Sequence, residues 1–176
     1  MSIPLRLPTY IEFPIPDWKV IAEVETTADV DYVDFTGLDI NRDKFYILFA
    51  TIGNPPNPLT FYYFFVEGDY TLTNYYSQEL YVWGNSVSGY SENSPLTLTL
   101  AGLDRTLFYT VITRDPLGFF RYYSSVSSRQ DASLIIEIYA GVKTSSVDNI
   151  TSIRFAANRA GGIGAGSKFL LCRPRS

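Results

Sequence analysis

No histidine occurs anywhere in the 176 residues. Ser-His-Asp and Cys-His nucleophile systems are therefore excluded, along with the commonest general base and the commonest zinc ligand. Cysteine occurs once, as Cys172, so no internal disulfide can form. It lies in an apolar run and reads as a small buried hydrophobe. Basic residues number 14 against 18 acidic ones, for a net charge of −4. The arginines are scattered, with only Arg173 and Arg175 close together, and no nucleic-acid partner is expected. Apolar runs fall short of the roughly 18 residues of a membrane helix, so no span is expected. Helical periodicity is missing as well; at most Asn74–Leu80 makes a helical turn.

What is present is aromatic and strand-like. Tyr (14) and Phe (12) are abundant, and runs rich in Tyr, Phe, Val, Ile and Thr alternate with Gly, Pro, Asn and Asp clusters. That pattern predicts an all-β fold, a single antiparallel sandwich of about 8–11 strands over residues 18–176. Strands are expected at Lys19–Thr26, Tyr32–Phe35, Lys44–Ile52, Thr60–Val66, Ser77–Trp83 and Leu96–Leu100. Others follow at Thr106–Thr113, Phe119–Ser127, Ser133–Ala140, Ile150–Ala156 and Lys168–Cys172. In KVIAEVET, Val20, Ala22 and Val24 are expected on one face, with Ile21, Glu23 and Glu25 on the other. Gly53-Asn54-Pro55-Pro56-Asn57-Pro58 reads as a rigid loop and Asp115-Pro116-Leu117-Gly118 as a turn. Residues 1–17 carry Pro4, Pro8, Pro14 and Pro16, which interrupt any apolar h-region; they read as an extended arm, not a secretory signal.

Five features invite chemistry. G-G-I-G-A-G-S-K (Gly161–Lys168) resembles a phosphate loop, but its Ser and Lys stand in the wrong order. Too few residues follow, among them Pro174, for the helix that a phosphate needs. A loop over Asn158–Gly166 between two final antiparallel strands is expected instead. The acidic stretch Asp29, Asp31, Asp34, Asp39 and Asp43 lacks the calcium-loop spacing, and no metal is expected there. Glu67, Asp69, Glu79, Glu92 and Glu137 are the carboxylates from which a glycosidase pair would come, although most are expected to face water. Tyr75, Tyr76, Tyr81, Trp83 and Tyr90 lie among amide and hydroxyl side chains. The expected patch, Tyr75, Tyr76, Trp83 and Tyr90, suits a glycan or a protein interface. The sequon Asn149-Ile150-Thr151 falls at an expected strand start.

V-D-F-T-G-L-D-I-N-R-D-K-F-Y-I (Val33–Ile47), N-Y-Y-S-Q (Asn74–Gln78), N-I-T-S-I-R-F (Asn149–Phe155) and I-G-A-G-S-K-F-L-L (Ile163–Leu171) together resemble a group of viral structural domains. These are jelly-roll or related β-sandwich proteins of tailed phages and archaeal viruses. Their usual ending continues Leu-Tyr-Gly, where this chain has Leu171-Cys172-Arg173. The resemblance implies a virion component, whether capsid, turret, tail or fibre subunit, that forms a homo-oligomer and contacts other virion proteins. It implies no catalytic residue and no cofactor. The expectation is a non-enzymatic structural protein; a carbohydrate-binding, receptor-recognising domain is the alternative.

Overall fold

Residues whose side chains alternate between two environments favour extended backbone, and twelve strands form among the residues the structure describes. The structure is a computed structural model describing residues 18–53, 60–100, 106–130 and 133–175. The predicted arm (1–17) and most of the proline-rich loop lie outside them. The first strands are β1 (Trp18–Glu25), β2 (Tyr32–Thr36), β3 (Phe45–Gly53) and β4 (Thr60–Val66), with a four-residue helix α1 (Ile40–Asp43) before β3. A 3-10 turn, Leu72–Asn74, leads into β5 (Tyr75–Trp83), followed by β6 (Ser86–Glu92), β7 (Leu96–Leu100) and β8 (Thr106–Arg114). The chain ends in β9 (Phe119–Gln130), β10 (Ser133–Ser146), β11 (Ser152–Ala157) and β12 (Gly164–Pro174).

Two sheets face each other. One has eight strands in the order β1-β12-β3-β8-β9-β10-β5-β6, the other four in the order β2-β11-β4-β7. Set side by side, β1-β12-β3-β8 and β2-β11-β4-β7 are the two four-stranded halves of a jelly roll. The other four strands form two hairpins. One, β5–β6, is spliced between β4 and β7; the other, β9–β10, between β8 and β11. Because β10 pairs with β5 as well as with β9, both hairpins extend the same sheet beyond β8. The larger sheet is thus twice as wide as the one that covers it.

The core lies where the sheets overlap. Phe64 and Phe155 of the small sheet meet Tyr122, Phe108 and Phe169 of the large one. Glycine at 141 is a packing requirement, since a Cβ there would stand 2.2 Å from the ring of Tyr122. The Tyr122 hydroxyl in turn donates to the Leu96 carbonyl at 2.6 Å, tying β7 to the large sheet. Lys143, though charged, is buried: it pairs with Asp69 at 2.6 Å and lies over the Tyr75 ring. Burial works to raise the Asp69 carboxyl, but Lys143, Asn74 and the Thr71 N–H outweigh it and hold the group below its ordinary value. Cys172 is buried on β12.

Several expectations need correction. The last two strands are not a hairpin: β11 belongs to the small sheet and β12 to the large one, so the glycine-rich loop crosses between layers. Ile150 precedes β11, and the sequon amide is tied down, donating to Asp39 and accepting from Asn41. The segment Asn74–Leu80 is strand from Tyr75 onward. In β1 a register shift between Val20 and Ala22 turns Val20 outward, 49% exposed, and packs Ile21 against the core, because an extra residue reverses the alternation. The acidic stretch is dispersed over separate structural duties. Asp29 and Asp31 accept from Ala165 and Gly161 N–H groups, Asp34 pairs with Arg154, Asp39 caps α1, and Asp43 is buried.

Candidate functional site at the widened end of the large sheet

The two inserted hairpins build a surface with two dissimilar faces. Strand pairing fixes which residues share each face, because directly opposed residues in antiparallel strands point the same way. On the side away from the small sheet, β8 presents Leu107, Tyr109, Val111 and Thr113, and β9 presents Arg121, Tyr123, Ser125 and Ser127. Their neighbours are Leu134, Ile136, Ile138, Ala140 and Val142 of β10, then Tyr76, Gln78, Leu80 and Val82 of β5, then Val87, Gly89 and Ser91 of β6. Of these side chains Arg121 is charged and is paired with Asp115 at 2.6 Å, and Arg129 of β9, opposite Leu134 in the register, stands at the far end of the same side. Eight large apolar ones are exposed: Tyr76, Leu80, Val87, Leu107, Tyr109, Tyr123, Leu134 and Ile136, from 38% to 66%.

This outer face is grooved. One depression of about 370 Å³ is lined by Tyr76, Val111, Arg121, Tyr123, Ala140 and Val142. A neighbouring one of about 500 Å³ lies over Gln78, Leu80, Gly89, Tyr90, Ile138 and Ala140. The small residues Ala140 and Gly89 make the hollows, and the tyrosines and leucines raise their walls.

The inner face of the same strands holds the remaining candidates. Tyr81 and Trp83 meet edge to face with ring centroids 6.4 Å apart, and Tyr90, opposite Glu79 in the register, shares their side of the sheet. Trp83 is 46% exposed and Tyr90 56%, since the small sheet ends at β7. Glu79 and Glu137 also point this way, with Tyr139 hydrogen-bonded to both. Burial raises the Glu79 carboxyl above its usual range and nearby Glu92 adds to the rise, against the pull of the Tyr139 hydrogen bond. Glu137 is only 3% exposed. Of the other acids, Glu67 accepts hydrogen bonds from Thr151 and Ser152, while Asp69 is taken by Lys143.

The expected aromatic patch is therefore divided. Tyr75 is 1% exposed and belongs to the core; its hydroxyl donates to the Asp69 carbonyl at 2.8 Å and accepts from the Val66 N–H at 3.1 Å. Tyr76, its neighbour on the strand, points to the outer face, whereas Trp83 and Tyr90 point inward, so the four do not make one platform. The outer-face residues of β8, β9 and β10 went unrecognised in the sequence. Their signal was the second apolar register of SLIIEIYAGVK, in which Leu134, Ile136, Ile138, Ala140 and Val142 repeat on one side while Glu137 and Lys143 fall on the other.

No family model matches the chain, and no curated protein is found to be similar to it.

Proposed function

We propose that this chain is a non-catalytic structural subunit of a virion that associates with copies of itself through the outer face of its widened sheet. The observation that carries the reading is the row of eight large apolar side chains exposed on that face among the described residues, with no carboxylate placed there by the strand register. From strand spacing and rise, the face measures on the order of 700 Å². That is close to the roughly 800 Å² each partner gives to a stable interface. Glu137, the most deeply buried of the candidate carboxylates, is too enclosed to meet a substrate. Jelly rolls serve capsid, lectin and cupin domains alike, so the fold leaves the choice of role to the surface. The virion as a setting comes from the resemblance alone.

Light scattering over a concentration series tests the association. The wild type is expected well above the 19.9 kDa of one chain. Ile136→Lys, which sets a charge in the middle of the face, is expected to lower the mass without moving the thermal midpoint by more than a degree or two, because the position is solvent-exposed. A wild type that stays monomeric at every concentration overturns the proposal.

A second reading is favoured by Tyr81, Trp83 and Tyr90 on the uncovered inner face: carbohydrate recognition by ring stacking. On that reading Trp83→Ala lowers affinity on a glycan array by about tenfold or more. Equal binding by wild type and variant, or none by either, sets it aside.

A further inference from the structure

We infer that β6 is a second, separate association site, pairing antiparallel with β6 of another copy so that the eight-stranded sheet continues across both. This rests on the self-association reading above and adds the partner strand and its register. Sheet edges are normally guarded by charge, proline, bulges or brevity. Among the described residues the two sheets have four edges, and three are guarded: β1 carries Lys19, Glu23, Glu25 and a register shift, β2 is five residues long with Asp34 at its centre, and β7 is equally short and pairs irregularly with β4. In contrast, β6 runs seven residues, Ser86–Glu92, with no proline, no register shift and no charge before its last residue.

The sequence of β6 also suits a twofold axis. With Gly89 opposite its own copy, Val87 faces Ser91 of the second copy, Ser88 faces Tyr90, and Ser86 faces Glu92. No like charges are opposed in that register, and the two Glu92 carboxylates stand at opposite ends of the pair. Glycine at the axis leaves the backbones free of side-chain obstruction on the outer side. Each hydrogen-bonded residue pair exchanges two bonds, so the contact adds about six to eight backbone hydrogen bonds. Its axis differs from that of a face-to-face contact, and a subunit with two isologous contacts builds beyond a dimer.

The test uses the opposed pair Ser86 and Glu92, which lie on the inner side of the sheet and outside the face contact. Ser86→Glu places like charges opposite each other twice across the axis, whereas Ser86→Glu with Glu92→Lys places opposite charges there. The first variant is expected to weaken the edge contact by about tenfold or more and the second to restore it. Both positions are exposed, and an unchanged thermal midpoint confirms folding. In sedimentation velocity Ser86→Glu is expected to stop at face-paired dimers, Ile136→Lys at edge-paired dimers, and the combination at monomers. If Ser86→Glu keeps the wild-type mass, or the charge swap fails to rescue, the edge proposal falls while the face reading stands. If Ile136→Lys leaves the mass unchanged while Ser86→Glu lowers it, the face reading falls instead. A monomeric wild type removes both.

Discussion

Phe155→Ala is expected to cost the fold about 4 kcal/mol, the middle of the range for deleting a buried aromatic side chain. The ring has no exposed surface and stands at the junction of the two sheets. Tyr62 and Phe108 lie nearly parallel to it with centroids at 5.2 and 5.3 Å, and Phe169 and Phe64 complete the surround at 5.4 and 5.5 Å. Four rings lose contact together, and rings as rigid as these cannot flow into the gap. The loss is a large share of a typical stability of about 5 to 15 kcal/mol. Equilibrium urea unfolding measures it, with the midpoint falling and the slope unchanged. Phe155→Leu retains most of the volume and should lose under half as much. A deficit below about 1.5 kcal/mol for the alanine variant would mean that the site collapses, and that the ring is not the keystone of the core.

Asp43→Asn is expected to cost about 3 kcal/mol at neutral pH, because it removes a buried charge that two cations and a phenol were placed to meet. The Asp43 side chain is 1% exposed. It accepts from Arg42 Nε at 2.8 Å, Arg173 Nη1 at 2.8 Å and the Tyr46 hydroxyl at 2.9 Å. The Arg42 hydrogen bond is the chief cause of a carboxyl held below its ordinary value; burial opposes it, and Tyr46 and Arg173 add to it. A carboxyl depressed in the folded state contributes stability that is present above the unfolded value near 4 and is lost as pH falls through the folded one. The gap between wild type and variant should therefore be full at pH 7 and close progressively below pH 4. Urea midpoints at pH 7 and pH 3 check this. A gap that does not change with pH would assign the loss to shape, not to charge.

The sandwich was legible because alternation survives any rearrangement of partners. Runs such as TLFYTVIT and TFYYFFV are strands whichever sheet they join. Partnership itself was not legible, and the proposed function depends on it. Period-two patterning sorts side chains into two sets without saying which set is covered. In β10 the charged residues Glu137 and Lys143 go inward to Tyr139 and Asp69, while Leu134 and Ile136 go outward, the reverse of the usual assignment. Similarly, Tyr75 and Tyr76 look equivalent in sequence until the strand places them on opposite faces. The strand β6 was missed because Ser86-Val87-Ser88-Gly89 has low intrinsic strand preference. Its hairpin signal was nonetheless present in Gly84-Asn85, two turn residues between paired strands with Gly84 at φ 57°.

The position of β12 between β1 and β3 bears on how a growing chain acquires this structure. On the ribosome β12 emerges after the other eleven strands, yet it must enter the gap between the first and the third. Until then β1 has no partner in the sheet, and Phe169 and Leu171 are missing from the interior. Nascent chains must wait with an open slot flanked by two unpaired backbones, a state prone to wrong pairing. A chain broken off before β12, whether by premature termination or by proteolysis, should leave that slot unfilled and mark itself for degradation. Synthesis through β12 thereby becomes the condition for entry into any assembly.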